Sequence, residues 1–150
     1  MRPVPTTLRD LATTVAILAC AAMATAQQAT PNPLAKSRVF AYEDLTAKTA
    51  PNGAVGRSVF TGTLATGEAI GVHETIQPKG TVPNPAHRIE HSELIMIEEG
   101  TLEYTHDGVT ERADAGSVVY VAFGTLHSVR NVGDGEAKYV VIQIGGDTGK

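Results

Sequence analysis

Tryptophan is absent from this chain, aromatic residues make up 5% of it, and the only cysteine is Cys20. Any core must therefore be built mainly from Val, Ile, Leu and Ala. A single thiol also excludes an internal disulfide framework. No run of basic residues occurs and the net charge is -4, which argues against a nucleic-acid surface, since that needs clustered positive charge. No apolar run spans a bilayer comfortably: Leu11 to Ala24, LATTVAILACAAMA, is too short. Beyond this run, no stretch keeps apolar residues at helical spacing for more than two turns, so a helical domain is not expected. A Gly-x-Ser-x-Gly elbow, a phosphate-binding glycine loop and a His-Glu-x-x-His helix are all missing.

What is present fits one domain of ordinary globular composition, with 150 residues of which 42% are hydrophobic and 19% charged. Arg2 and Arg9 flank a short basic start, the apolar run follows, and Ala24-Thr25-Ala26 has the small-x-small pattern of a signal-peptidase site. Residues 1–26 are therefore expected to be a signal peptide cleaved after Ala26, and the product to be secreted or periplasmic. A retained anchor and lipidation at Cys20 are the alternatives. Residues 27–37 are polar, carry two prolines and read as a flexible leader. The domain is expected over residues 38–146, with 147–150 as a C-terminal tail.

Within that domain, short runs of β character alternate with turn residues. Val39 to Leu45, Ser58 to Leu64 and Ala69 to Ile76 read as strands, followed by ELIMIEE, TLEYTH, VTERA, SVVYVA, HSVRNV and KYVVIQI. Asp107-Gly108 is a strong hairpin signal between two of them. Gly100 and Gly116 fall where tight turns need positive φ. Strands of this length and spacing predict an all-β sandwich or barrel.

Two motifs within this pattern resemble those of the cupin superfamily. The first runs through Gly80, His87, Glu93 and Gly100, with six residues between Glu93 and Gly100. The second has Gly116, then Gly124, His127 and Asn131 at the family's spacing, with Ala122 where the family has proline. The resemblance covers about Glu68 to Ile144. It implies an all-β, jelly-roll barrel of the small single-domain, type-2-like kind, open at one end with a pocket inside. It also implies a divalent transition metal (Fe, Mn, Ni, Zn or Cu) held by histidines and the glutamate.

The chain departs from the family where the second histidine should stand. Ile89 occupies that place, and isoleucine cannot bind a metal. Side chains on an extended segment alternate, so residues 87, 89, 91 and 93 would share one face. His91 would lie about 7 Å along the strand from Ile89, and a bulge or loop could bring it in. Several readings then stand side by side. His87, His91, Glu93 and His127 form a four-ligand metal site, or His87, Glu93 and His127 alone form a two-histidine, one-carboxylate site, or the metal is lost and the barrel only binds a ligand. Elsewhere, His73 reads as a plain strand histidine and His106 as an exposed residue before a turn. Tyr104 and Tyr120 read as core, and Asn131 as a partner of nearby backbone.

Two classes of function follow from the resemblance. One is a metal-dependent oxidoreductase, such as a dioxygenase, or an isomerase acting on a small molecule. The other is a non-catalytic module that binds a small molecule. A homodimer through Val39 to Leu64 is a further expectation. Neither nucleic acid nor, in the mature form, a membrane is an expected partner.

Overall fold

A computed structural model describes residues 32–146 and Thr148. The calls made on residues 1–26 and on Cys20 lie outside the described residues. Ten strands run in order: β1 (Ala47–Thr49), β2 (Val55–Thr63), β3 (Ala69–Gln77), β4 (His87–Arg88), β5 (Ser92–Glu99), β6 (Thr101–His106), β7 (Val109–Asp114), β8 (Val118–Val121), β9 (Leu126–Asn131) and β10 (Ala137–Ile144). The only helical turn among the described residues is a 3-10 turn at Tyr42–Asp44. The predicted strands from Ser58 onward are all present. Two were missed, β1 and β4, each too short to show a period in sequence.

The strands form two antiparallel sheets, with orders β1-β2-β3-β10-β5-β8 and β4-β9-β6-β7. This is a jelly-roll arrangement, but among the described residues no ladder of hydrogen bonds joins β7 to β8 or β4 to β1, so the expected barrel is two facing sheets rather than a closed cylinder. Alternation decides what faces inward. On β5, Glu93, Ile95 and Ile97 are buried while Met96 is exposed, and on β10, Ala137, Tyr139 and Val141 are buried. Together with Ile89, Leu102, Tyr104, Ala113 and Val121, these apolar residues make one core cluster. The β-branched content of these runs suits the pleated, half-buried setting.

The turns carry the conformations their residues allow. Asp107 and Gly108 both have positive φ, 44° and 86°, as a two-residue β6–β7 hairpin requires. Gly100 has φ 78° between β5 and β6, and a Cβ there would collide with the Glu136 carbonyl oxygen and come within 2.8 Å of Ala137 Cα.

The segment Val39 to Leu45 is not the expected strand. It crosses the outer face of the six-stranded sheet and packs there by side chains. Phe40 lies 4.8 Å from Phe60, ring centre to ring centre, and the Tyr42 ring sits under the Arg57 guanidinium at 4.9 Å. Beneath them the buried Glu74 carboxylate meets Arg57 at 2.7 Å and Lys138 at 3.2 Å. Without a strand neighbour to complete a ladder, this stretch satisfies its backbone with the 3-10 turn instead. The segment read as a leader, residues 27–37, also touches the sheet at its middle: Asn32 Nδ2 donates to the Thr63 carbonyl at 2.7 Å.

Candidate functional site

Strand register brings the site together from both sheets. On the four-stranded sheet, β4 pairs with β9 so that His87 lies opposite His127, and β9 pairs with β6 so that His127 lies opposite His106. Three histidines thus form one cross-strand row. His87 and His127 have ring centres 4.7 Å apart, and Tyr104 lies 6.0 Å from His127. From the six-stranded sheet, Glu93 on β5 lies opposite Gln143 on β10. Between the sheets is a cavity of about 350 Å³, lined by His73, His87, Ile89, His91, Glu93, His127 and Gln143 among others.

The stretch from His87 to Glu93 is not one extended strand. Strand β4 ends at Arg88, the chain bends through Glu90 and His91, and β5 begins at Ser92. This bend carries the chain from one sheet to the other. It delivers His91 beside Glu93. Ile89 is 6% exposed and belongs to the core cluster, while its carbonyl accepts from Gly124 N–H at 3.0 Å. The residue in the histidine's place is therefore packed as hydrophobic core.

The hydrogen bonds fix which groups give and which accept. His91 Nε2 lies 2.8 Å from Glu93 Oε1, and Gln143 Nε2 lies 3.3 Å from the same oxygen. A carboxylate only accepts, so His91 and Gln143 each direct a proton at Oε1. The 3.2 Å between their two nitrogens is then the spacing of two donors that share one acceptor. Gly71 makes room for Gln143, since a Cβ there would meet Gln143 Oε1 at 2.9 Å.

The other carboxylate oxygen faces a different partner. His127 Nδ1 lies 3.3 Å from the Thr125 carbonyl, so Nδ1 carries the proton and Nε2 presents a lone pair. Burial holds His127 below the ordinary imidazole range, which favours this neutral form. That Nε2 stands 3.7 Å from Glu93 Oε2. Two acceptors face each other across a gap too long for a hydrogen bond. His87 repeats the first half of this arrangement, with Nδ1 3.2 Å from the Pro85 carbonyl.

Tested against a metal ion, the donor chemistry and the spacing give different answers. Neutral histidines whose Nδ1–H is held by a backbone carbonyl, beside a carboxylate, are suitable ligands for a first-row divalent ion. Yet among the described residues no three His, Cys, Asp or Glu side chains are brought together as ligands of one ion. His91 in particular has its Nε2 committed to Glu93.

Other residues fall differently from expectation. His106 is not an exposed turn residue: it continues the inward row, stacks on Tyr104 at 4.9 Å and bonds Glu111 at 2.8 Å. Tyr104 is core as expected, but Tyr120 is 63% exposed. Asn131 does bond nearby backbone, donating to the Gln77 and Gly135 carbonyls and accepting from Gly133 N–H. Gln143 went unnoticed in sequence. Its signal was there, as the one polar side chain in the inward series Ala137, Tyr139, Val141.

Comparison with known proteins agrees with this architecture. The family described as "Cupin domain" matches residues 72–143, a span that runs from β3 through β10 and contains every site residue named above. Residues 72–143 form a cupin domain. Among solved structures, this cupin is similar to an RmlC-like cupin from Shewanella frigidimarina, at 18% identity and TM-score 0.61 over 75% of this chain and 95% of that one. It is similar to KdgF from a Halomonas species, at 13% identity and TM-score 0.62 over 71% and 94%. It also resembles the polyketide cyclase RemF from Streptomyces resistomycificus, at 15% identity and TM-score 0.57 over 73% and 80%. At these identities the likeness concerns the fold. No curated protein matches the chain.

Proposed function

We propose that this cupin binds a small polar molecule in its cavity and that a divalent transition ion would be held there by Glu93 and His127, with His87 joining them only once the side chains draw in, since no three such groups are gathered among the described residues as the structure stands. The observation that carries this reading is the gap between Glu93 Oε2 and His127 Nε2, two lone-pair donors 3.7 Å apart with no hydrogen between them. Such a pair is satisfied by a positive charge. His91, one of the four ligands expected from sequence, is assigned a different part here: it donates to Glu93 and orients its carboxylate. When bound, the ion supplies Lewis acidity to an oxygen-bearing substrate, as oxidoreductase or isomerase chemistry would use.

A second reading omits the metal. Ile89 fills the core at the missing ligand's position, and a ligand O–H or N–H can span the same gap by donating to Glu93 or His127. The cupin is then a binding module. Export by residues 1–26 and self-association through Val39 to Leu64 complete the proposal. N-terminal sequencing of exported protein and sedimentation check those two parts.

The test is metal content of the untagged chain after exposure to Fe, Mn, Ni, Zn or Cu, beside His91→Ala, His127→Ala and Glu93→Gln. The metal reading expects close to one ion per chain, lost in His127→Ala and Glu93→Gln and kept in His91→Ala. Loss in His91→Ala as well would restore the four-ligand set. No ion in the unaltered chain would leave the metal-free module.

A further inference from the structure

The inner face of the six-stranded sheet is ordered in rows across its strands. Glu93 and Gln143 stand in one row, Ile95, Val141 and His73 in the next, and Tyr139 and Thr75 in the one after. Tyr139 and Gln143 are four residues apart on β10, about 13 Å along the strand. All of these residues line the cavity. Its wall is therefore polar at Glu93, apolar but for His73 in the middle, and polar again at Tyr139 and Thr75. Nothing in the proposed function uses this far row.

Hydrogen bonds fix what the far row can offer. Asn131 N–H donates to Gln77 Oε1 at 3.0 Å, which sets the orientation of the Gln77 amide. Its Nε2 lies 2.9 Å from the Tyr139 hydroxyl. An amide nitrogen only donates, so the Tyr139 oxygen accepts here and its own proton is directed elsewhere. The hydroxyl beside it is that of Thr75, opposite Tyr139 in the strand register. Two hydroxyls bring two protons, and a bond between them uses one. The other is presented to the cavity. Burial raises the Tyr139 pKa above the ordinary phenol value, so at neutral pH the hydroxyl keeps its proton. The cations of the neighbouring strands are engaged elsewhere. Arg57 and Lys138 meet Glu74 on the outer face, at 2.7 Å and 3.2 Å, and Arg88 Nη1 donates to the Gly124 carbonyl at 2.6 Å.

We propose that the Tyr139–Thr75 pair is a specificity determinant: it donates to a neutral carbonyl oxygen at one end of an elongated ligand whose other polar end meets Glu93 and His127. The inference rests on the reading of this cavity as the binding site. A ligand with only carbon at this position shuts water out and leaves the donor without a partner, which costs affinity. A carboxylate would be buried here with no positive charge to offset it. A carbonyl oxygen accepts the proton and brings no charge.

The probes are para-hydroxyacetophenone, para-ethylphenol, which has a methylene in place of the carbonyl, and para-hydroxybenzoate, which has a carboxylate in place of the acetyl group. Each is titrated into the full chain by NMR. The ketone is expected to bind saturably and the other two at least about tenfold more weakly, a difference of about 1.4 kcal/mol. Tyr139→Phe should weaken the ketone about threefold to tenfold and change para-ethylphenol by less than about twofold. Thr75→Val should act in the same direction, and it carries the test if Tyr139→Phe does not melt cooperatively. Equal binding of ketone and ethylphenol, tighter binding of the benzoate, or no saturable binding of the ketone would overturn the proposal. So would variants that weaken ketone and ethylphenol alike. Metal uptake is scored separately. A chain that takes up no ion yet prefers the ketone keeps this inference and loses the metal, and one that takes up an ion without that preference does the reverse.

Discussion

Two imidazole–carboxylate pairs project from the inner faces of this cupin, and both measure 2.8 Å between nitrogen and oxygen. One is His91–Glu93, with side chains 6% and 9% exposed; the other is His106–Glu111, at 29% and 65%. Their chemistry and distance are the same. They differ in what surrounds them. Water can replace either partner of His106–Glu111, so that pair contributes little to stability. Around His91–Glu93 there is no such replacement. Each group there depends on the other, on Gln143 and on whatever fills the gap to His127.

The comparison breaks most visibly when one partner is removed. His91→Ala leaves Glu93 buried with a weaker set of donors and is expected to destabilise the fold by about 3 kcal/mol in urea denaturation. A loss below about 1 kcal/mol would mean that water enters the cavity freely and that the two pairs are equivalent after all. Ile89→His tests the same region from the other side. An imidazole placed in the core is expected to lower stability by about 2 kcal/mol without added metal. Added zinc or nickel should recover part of that loss if His87, Glu93 and His127 hold an ion, measured as a rise in Tm.

Acid gives a smaller effect of known sign. Burial holds His73, on the cavity wall, below its ordinary pKa of 6.5. The unfolded chain therefore takes up a proton that the folded chain resists, and stability falls as pH drops from about 6.5 through the folded-state value. Above about 6.5 the contribution is complete. Melting temperature between pH 7.5 and 5 should show this decline, and His73→Gln should flatten it by at most about 1 kcal/mol. The smallest effect belongs to the more solvated pair: His106→Ala is expected to cost less than about 1 kcal/mol. Salt should shrink it further, because exposed charges are screened where buried ones are not.

Much of the fold could be read along the chain because it rests on local chemistry. The period-two runs of Val, Ile, Leu and Tyr marked the longer strands, and Asp107-Gly108 marked a hairpin whose turn needs positive φ twice. Where sequence reading failed, long-range packing had overruled local preference. Phe40 and Tyr42 have strand character, yet they lie as a cover over Phe60, Arg57 and Glu74. His106 looked like a turn residue because it precedes Asp107. It is an inward residue because it falls in step with Leu102 and Tyr104 on β6.

By itself, the sequence determined the all-β class and the turns, since alternation and turn chemistry act over a few residues; His87, Glu93 and His127 were singled out by the resemblance of two motifs to a known family, and His91 by alternation beside them. Only the tertiary structure decided what those residues do to one another. Register across β4 and β9 set His87 against His127. Register across β5 and β10 set Gln143 beside Glu93, and so gave Glu93 two donors at one oxygen and an unbridged gap at the other. The physical reason is that a hydrogen bond depends on distances between strands far apart in the chain, and no spacing along the sequence contains those distances.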